Sequence, residues 1–81
     1  EIQELIKSSR RIIEESKELI KESEEVLRRI KEILDRIRNG VDNQEDLLRE
    51  ILKLLTKNLK IIQRNLKLLQ DNAEILKRLV S

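Results

Sequence analysis

The stretch NLKIIQRNLKLLQDNAEILKR, residues 58–78, decides the fold. It is three heptads in register, NLKIIQR (58–64), NLKLLQD (65–71) and NAEILKR (72–78), each opening on an asparagine. Apolar residues recur at fixed places behind Asn58, Asn65 and Asn72, the pattern of a helix that presents one face to partners. An earlier row opens on serine: SRRIIEE (9–15), SKELIKE (16–22) and SEEVLRR (23–29). If the chain folds back on itself, Ser9 meets Asn72, Ser16 meets Asn65 and Ser23 meets Asn58, because each pair of numbers adds to 81. The midpoint of that register falls at 40–41, at the only glycine, Gly40. The two rows therefore predict an antiparallel helical hairpin.

Composition agrees. The 81 residues fit one domain, 1–81, in which 42% are charged and 38% hydrophobic. Every apolar residue is aliphatic, and Phe, Trp, Tyr, Met, Cys, His and Pro are absent. Heptad spacing in a chain rich in Leu, Ile, Glu, Lys and Arg belongs to the coiled-coil class. Without cysteine there is no disulfide or thiolate metal site, and the redox compartment stays open. Without histidine the usual general base and commonest metal ligand are missing. A formal charge of +2 is too balanced to imply nucleic acid. No apolar run approaches the roughly 18 residues of a membrane span, and no signal-peptide pattern opens the stretch. No membrane partner, cofactor or obligatory small molecule is expected, and localisation is left open. A chain at the lower size limit for a self-sufficient core gains from packing against further copies.

Residues 2–38 are expected to form the first helix. With Ser9 at heptad position a, its apolar residues occupy a, d and e, a stripe about 100° wide. The other positions are almost all charged. Glu24 with Arg28, Glu25 with Arg29 and Glu32 with Arg36 are i,i+4 pairs in the favourable order. Residues 39–42 are expected to turn. Gly40 suits the left-handed conformation that closes a helix, and Val41 is then free to fold back near Ile37. Asp42 is placed as N-cap of the next helix, with Glu45 completing a capping box and Asp46 facing the positive end of the helix dipole.

Residues 43–80 are expected to form the second helix, whose apolar face is wider. With Asn58 at a, apolar residues fill d, e and b, and two further a positions, an arc of about 160°. A stripe of about 100° on one partner helix leaves much of that arc bare, a patch larger than soluble monomers tolerate. The second helix is therefore expected to meet copies of itself. The expected contact comprises Ile51, Leu52, Leu55, Leu59 and Ile62, continuing through Leu66, Leu69, Ala73, Leu76, Leu79 and Val80. The wider face belongs inside a bundle and the narrower stripe outside. A closed rotation axis along the bundle makes the inner helices parallel to one another and the outer ones antiparallel to them.

The asparagines lie within the apolar arc, so they are expected to be buried and to need partners. An orphaned buried polar group costs about 1–3 kcal/mol. An Asn amide offers two donors and an acceptor oxygen, and a Ser hydroxyl offers one donor and two acceptor sites. Stacked at equal height, Ser9, Ser16 and Ser23 with Asn72, Asn65 and Asn58 form three hydrogen-bonded layers about 10.5 Å apart. Ile2, Ile30, Ile37, Ile51 and Leu79 keep the remaining a layers dry. Such layers fix register and stoichiometry, which non-directional apolar contact does not. A serine nucleophile is disfavoured, because no base shares the stripe. A polar lumen holding water or a small molecule is the alternative use of the same residues. The basic run Lys53, Lys57, Lys60, Arg64 and Lys67 faces acids of the first helix in the antiparallel register. Glu14 is expected against Lys67 and Glu24 against Lys57, each exposed pair contributing about 0–1 kcal/mol.

Near-repeating heptads (SRRIIEE, SKELIKE, SEEVLRR, IKEILDR), matched Asn/Ser layers, a short capped loop and the lack of aromatics together resemble de novo designed helical-hairpin homo-oligomers, coiled-coil bundles with buried hydrogen-bond networks. The resemblance covers the whole chain and implies modular self-association without catalysis. The expected fold is all-α: a two-helix hairpin assembling into a bundle with parallel inner and antiparallel outer helices. A six-helix homotrimer is favoured, because the two helices have unequal faces. A four-helix homodimer and an eight-helix homotetramer are the competing stoichiometries.

Overall fold

The computed structural model describes residues 1–40 and 43–81. Two α-helices account for nearly all of them: α1 (Ile2–Arg38) and α2 (Gln44–Val80). Neither helix interior holds a proline or glycine, and straight-chain residues with high helix propensity dominate both. The helices pack along their lengths into an antiparallel rod of 60 × 14 × 13 Å.

The heptad positions sort cleanly by burial. The d residues Val26, Ile33, Leu47, Ile61 and Leu68 and the a residues Ile30 and Ile51 are the buried hydrophobics. The seam between the helices is thus the d–a arc of each. Val26, Ile30, Ile33, Leu47, Ile51 and Ile61 form one continuous cluster, with Leu19, Ile37 and Leu54 packed against it. Of the a residues expected to be dry, Ile30 and Ile51 are buried, Ile37 and Leu79 are half-buried, and Ile2 is exposed at the open end. Ile51, expected at the contact between copies, is buried inside the hairpin and has little surface left for a second chain.

The turn differs from expectation in its capping. The Asn39 N–H donates to the Asp35 carbonyl at 3.0 Å, and the Gly40 N–H to the Ile37 carbonyl at 3.1 Å. Gly40 has φ +75° and open space around its Cα, so it closes α1 without a Cβ penalty. Val41 and Asp42, and with them the expected Asp42 cap and the packing of Val41, lie outside the described residues. The N-cap of α2 is Asn43, in the left-handed region with φ 59° and ψ 36°, and it makes no side-chain cap bond. Its carbonyl instead accepts from the Asp46 and Leu47 N–H groups at 3.1 and 3.3 Å. The carboxylates of Glu45 and Asp46 hold Arg49 at 3.0 and 3.2 Å, and the capping box expected between Asp42 and Glu45 falls outside the described residues. Asn tolerates the left-handed backbone better than other non-glycine residues, which explains its place here.

Candidate self-association face and polar ladder

Three serines on α1 and three asparagines on α2 meet across the seam at a positions. The Ser9 hydroxyl donates to Asn72 Oδ1 at 2.6 Å, Ser16 to Asn65 Oδ1 at 2.5 Å, and Ser23 to Asn58 Oδ1 at 2.6 Å. The pairing follows the register in which residue numbers add to 81. Helical rise places successive rungs about 10.5 Å apart. Ser9, Ser16 and Asn58 are buried, whereas Ser23, Asn65 and Asn72 are half-buried. Every rung therefore engages the Asn carbonyl from within the chain. Among the described residues the Asn N–H donors make no hydrogen bond, and no side-chain nitrogen or oxygen is both fully buried and unpartnered. Each rung keeps two amide donors open toward its surroundings.

The two sides of the seam are unlike. On one side run the g positions, where Arg29 bridges Glu50 and Arg64 bridges Glu15, each at 2.8 Å. These pairs replace the expected ones. Glu14 binds Lys17 and Lys67 binds Asp71, each within its own helix. The reason is angular: position f (Glu14) and position b (Glu24) point away from the partner helix, whereas g flanks the seam. Likewise Arg28 pairs with both Glu25 and Glu32, in place of the expected Glu24, and Arg29 reaches across to α2. Contact with these two carboxylates, first of all the hydrogen bond that Arg28 donates to Glu25, raises the Arg28 pKa above its ordinary value.

On the other side of the seam run the e rows of both helices. A shallow groove of about 160 Å³ there is lined by Ile20 and Ile62 at e, with Leu19, Ser23, Ile61, Asn65 and Glu24 around them. Ile13, Ile20, Leu27 and Leu34 of α1 are 43–50% exposed. Leu48, Leu55, Ile62, Leu69 and Leu76 of α2 are equally open, and the b row beyond them is more so, with Leu52 64% exposed. Fourteen large hydrophobic side chains are exposed among the described residues and seven are buried. The e row of α1 is the part of this face that sequence reasoning missed. Its e positions are legible as apolar, but a stripe about 100° wide implies that one partner covers them all. The seam spans only d and a, so e is left over on both helices.

The remaining chemistry is sparse. Among the described residues no cluster of His, Cys, Asp or Glu is arranged to hold a metal, and no helix is long and apolar enough to cross a membrane. Ser9, Ser16 and Ser23 donate to amide oxygens, which are not bases capable of activating a hydroxyl. Comparison with protein-family models, curated proteins and solved structures finds no match.

Proposed function

We propose that the chain is a self-association module, a homotrimer of hairpins in which α2 lies inside, α1 lies outside and the Ser–Asn rungs set register and copy number. One observation carries the reading: twice as many large aliphatic side chains are exposed as buried, and nearly all of them lie on one face. Soluble proteins expose so large a contiguous apolar patch mainly where something binds. The occupant that fits a 37-residue groove of heptad period is another chain with the same period, and this chain has it. The open amide donors support the same reading. In a closed ring each Asn donates to the Asn or Ser of the next copy, completing a network that one hairpin leaves half made. Trimer is preferred over dimer because the exposed arc of α2 is wider than that of α1, which suits inner and outer places. The regularity of the heptads supports an origin in design for assembly.

Light scattering or native mass spectrometry tests this directly. Three copies of a 9.7 kDa chain give about 29 kDa. A mass near 19 or 39 kDa keeps self-association and replaces the trimer by a dimer or tetramer. A mass of one chain removes the proposal.

A further inference from the structure

The outer positions of α1 and α2 differ in a way that self-association through e and b does not explain. The f row of α1 is charged throughout: Lys7, Glu14, Lys21, Arg28 and Asp35. The f row of α2 is Arg49, Thr56, Gln63, Gln70 and Lys77, uncharged at its three central positions. In a chain that is 42% charged, three neutral side chains in one row at the levels of the polar rungs mark an edge where charge is unwelcome. Burying a charge without a partner is costly, whereas an amide or hydroxyl is far cheaper to cover. Thr56 is already satisfied, its hydroxyl donating to the Leu52 carbonyl at 2.9 Å.

Helix geometry says what covers that edge. Around α2 the d–a seam is centred at about 330°, e stands at about 40°, b at about 100° and f at about 140°. Equal rods in mutual contact form equilateral triangles, so successive neighbours of one helix lie about 60° apart. Starting from its own α1 at about 330°, the next three neighbours of α2 fall at about 30°, 90° and 150°. These directions meet the e, b and f rows in turn. Around α1 the same rule puts a second neighbour at about 30°, on its exposed e row. The e row of α1 and the f edge of α2 are thus the two surfaces left after the inner helices have met.

Resting on the self-association reading above, we infer that the e row of α1 in one copy docks on the b–f edge of α2 in the next copy, so that each α2 touches four helices. The interface is heterologous: groove on one copy, edge on the other, repeated around the ring. In the register where residue numbers add to 81, Gln63 stands within about 3 Å of the level of Ile20, Gln70 of Ile13, and Thr56 of Leu27. A ring without rise keeps those levels in every copy.

Two variants, Ile20→Cys and size-tagged Gln63→Cys, are unfolded together, refolded and treated with a short bismaleimide. The expected product is a covalent pair joining one chain of each kind, while Lys60→Cys at the c position gives no linkage to Ile20→Cys. If Gln63→Cys joins mainly to itself, or Lys60→Cys links to Ile20→Cys as readily, the inference falls while an oligomeric mass of the parent leaves self-association standing. A one-chain mass of the parent removes both. An independent measurement uses full chains without cysteine. Gln63→Glu with Gln70→Glu is expected to weaken association at least ~10-fold, and Lys60→Glu with Lys67→Glu to change it less. Equal effects of the two pairs overturn the inference.

Discussion

The half of the hairpin next to the turn and the half that carries the termini share one heptad pattern and differ at position a. Toward the turn, a is one polar rung, Ser23 against Asn58, and then Ile30 and Ile51, and the result is a continuous cluster reaching from Val26 and Ile33 to Leu47 and Ile61. Toward the termini, a is Ser9 against Asn72 and Ser16 against Asn65, and Leu68 is the one buried hydrophobic there among the described residues. Burial of aliphatic carbon is strong and indifferent to direction. A hydroxyl on an amide oxygen is weak in net terms and tolerates few geometries. The half next to the turn therefore supplies most of the cohesion, and the half at the termini carries two of the three aligning rungs.

The contrast breaks most visibly at the dry end. Leu47→Ala, which empties a site 4% exposed, is expected to cost about 2–5 kcal/mol. Chemical denaturation followed by circular dichroism reads this, and a loss under 1 kcal/mol means the cluster is not the source of cohesion. At the polar end, Ser16→Ala leaves the Asn65 carbonyl without its 2.5 Å donor and is expected to cost about 1–3 kcal/mol. Adding Asn65→Leu is expected to recover that loss or exceed it, since apolar replacements of buried polar pairs are often neutral or stabilising. The double variant's sharper test is native mass spectrometry, where a broader spread of copy numbers is expected. A single unchanged species means that this rung does not select the assembly.

Smaller effects lie at the turn and the surface. Gly40→Ala meets no atom within 4 Å but forces a Cβ into φ +75°, a conformational cost of about 1–2 kcal/mol. A melting temperature at or above that of the parent shows that the turn relaxes freely. Glu15→Gln removes the bridge to Arg64 at the partly exposed seam edge and is expected to cost about 0–1 kcal/mol, with the difference vanishing at high salt. A salt-independent loss instead points to packing by the side-chain stem.

Most of the hairpin was legible in the sequence because its signals are periodic. Seven-residue spacing announces helices, the lone glycine locates the reversal, and the Ser and Asn rows meet in the register where their numbers add to 81. Charge pairs were read from the same sum and came out differently. Height alone does not decide contact between long exposed side chains, and only g lies near the seam, so Glu15 reaches Arg64 while Glu14 stays with Lys17. The start of α2 turns on a similar local choice: Asn43, in the left-handed region, holds the cap position one residue past Asp42, and the Glu45 carboxylate binds Arg49. Such choices turn on local backbone conformation, which residue type biases without determining. The α1 half of the exposed face was hidden in another way: the sequence marks Ile13 and Ile20 as apolar without saying how far one partner reaches around them.

Three identical rungs at equal spacing carry a hidden ambiguity. A pattern repeated every seven residues looks the same after a slide of seven. Displaced by one heptad, Ser9 faces Asn65 and Ser16 faces Asn58, and two of the three rungs still close. The rungs forbid small slips and are blind to this large one. What opposes it is the rest of the a row: in that register Ser23 faces Ile51 and Ile2 faces Asn72, so two polar side chains lose their partners. Phase in this molecule is thus set by the order of polar and apolar residues along the whole a row, and tuning by its rungs.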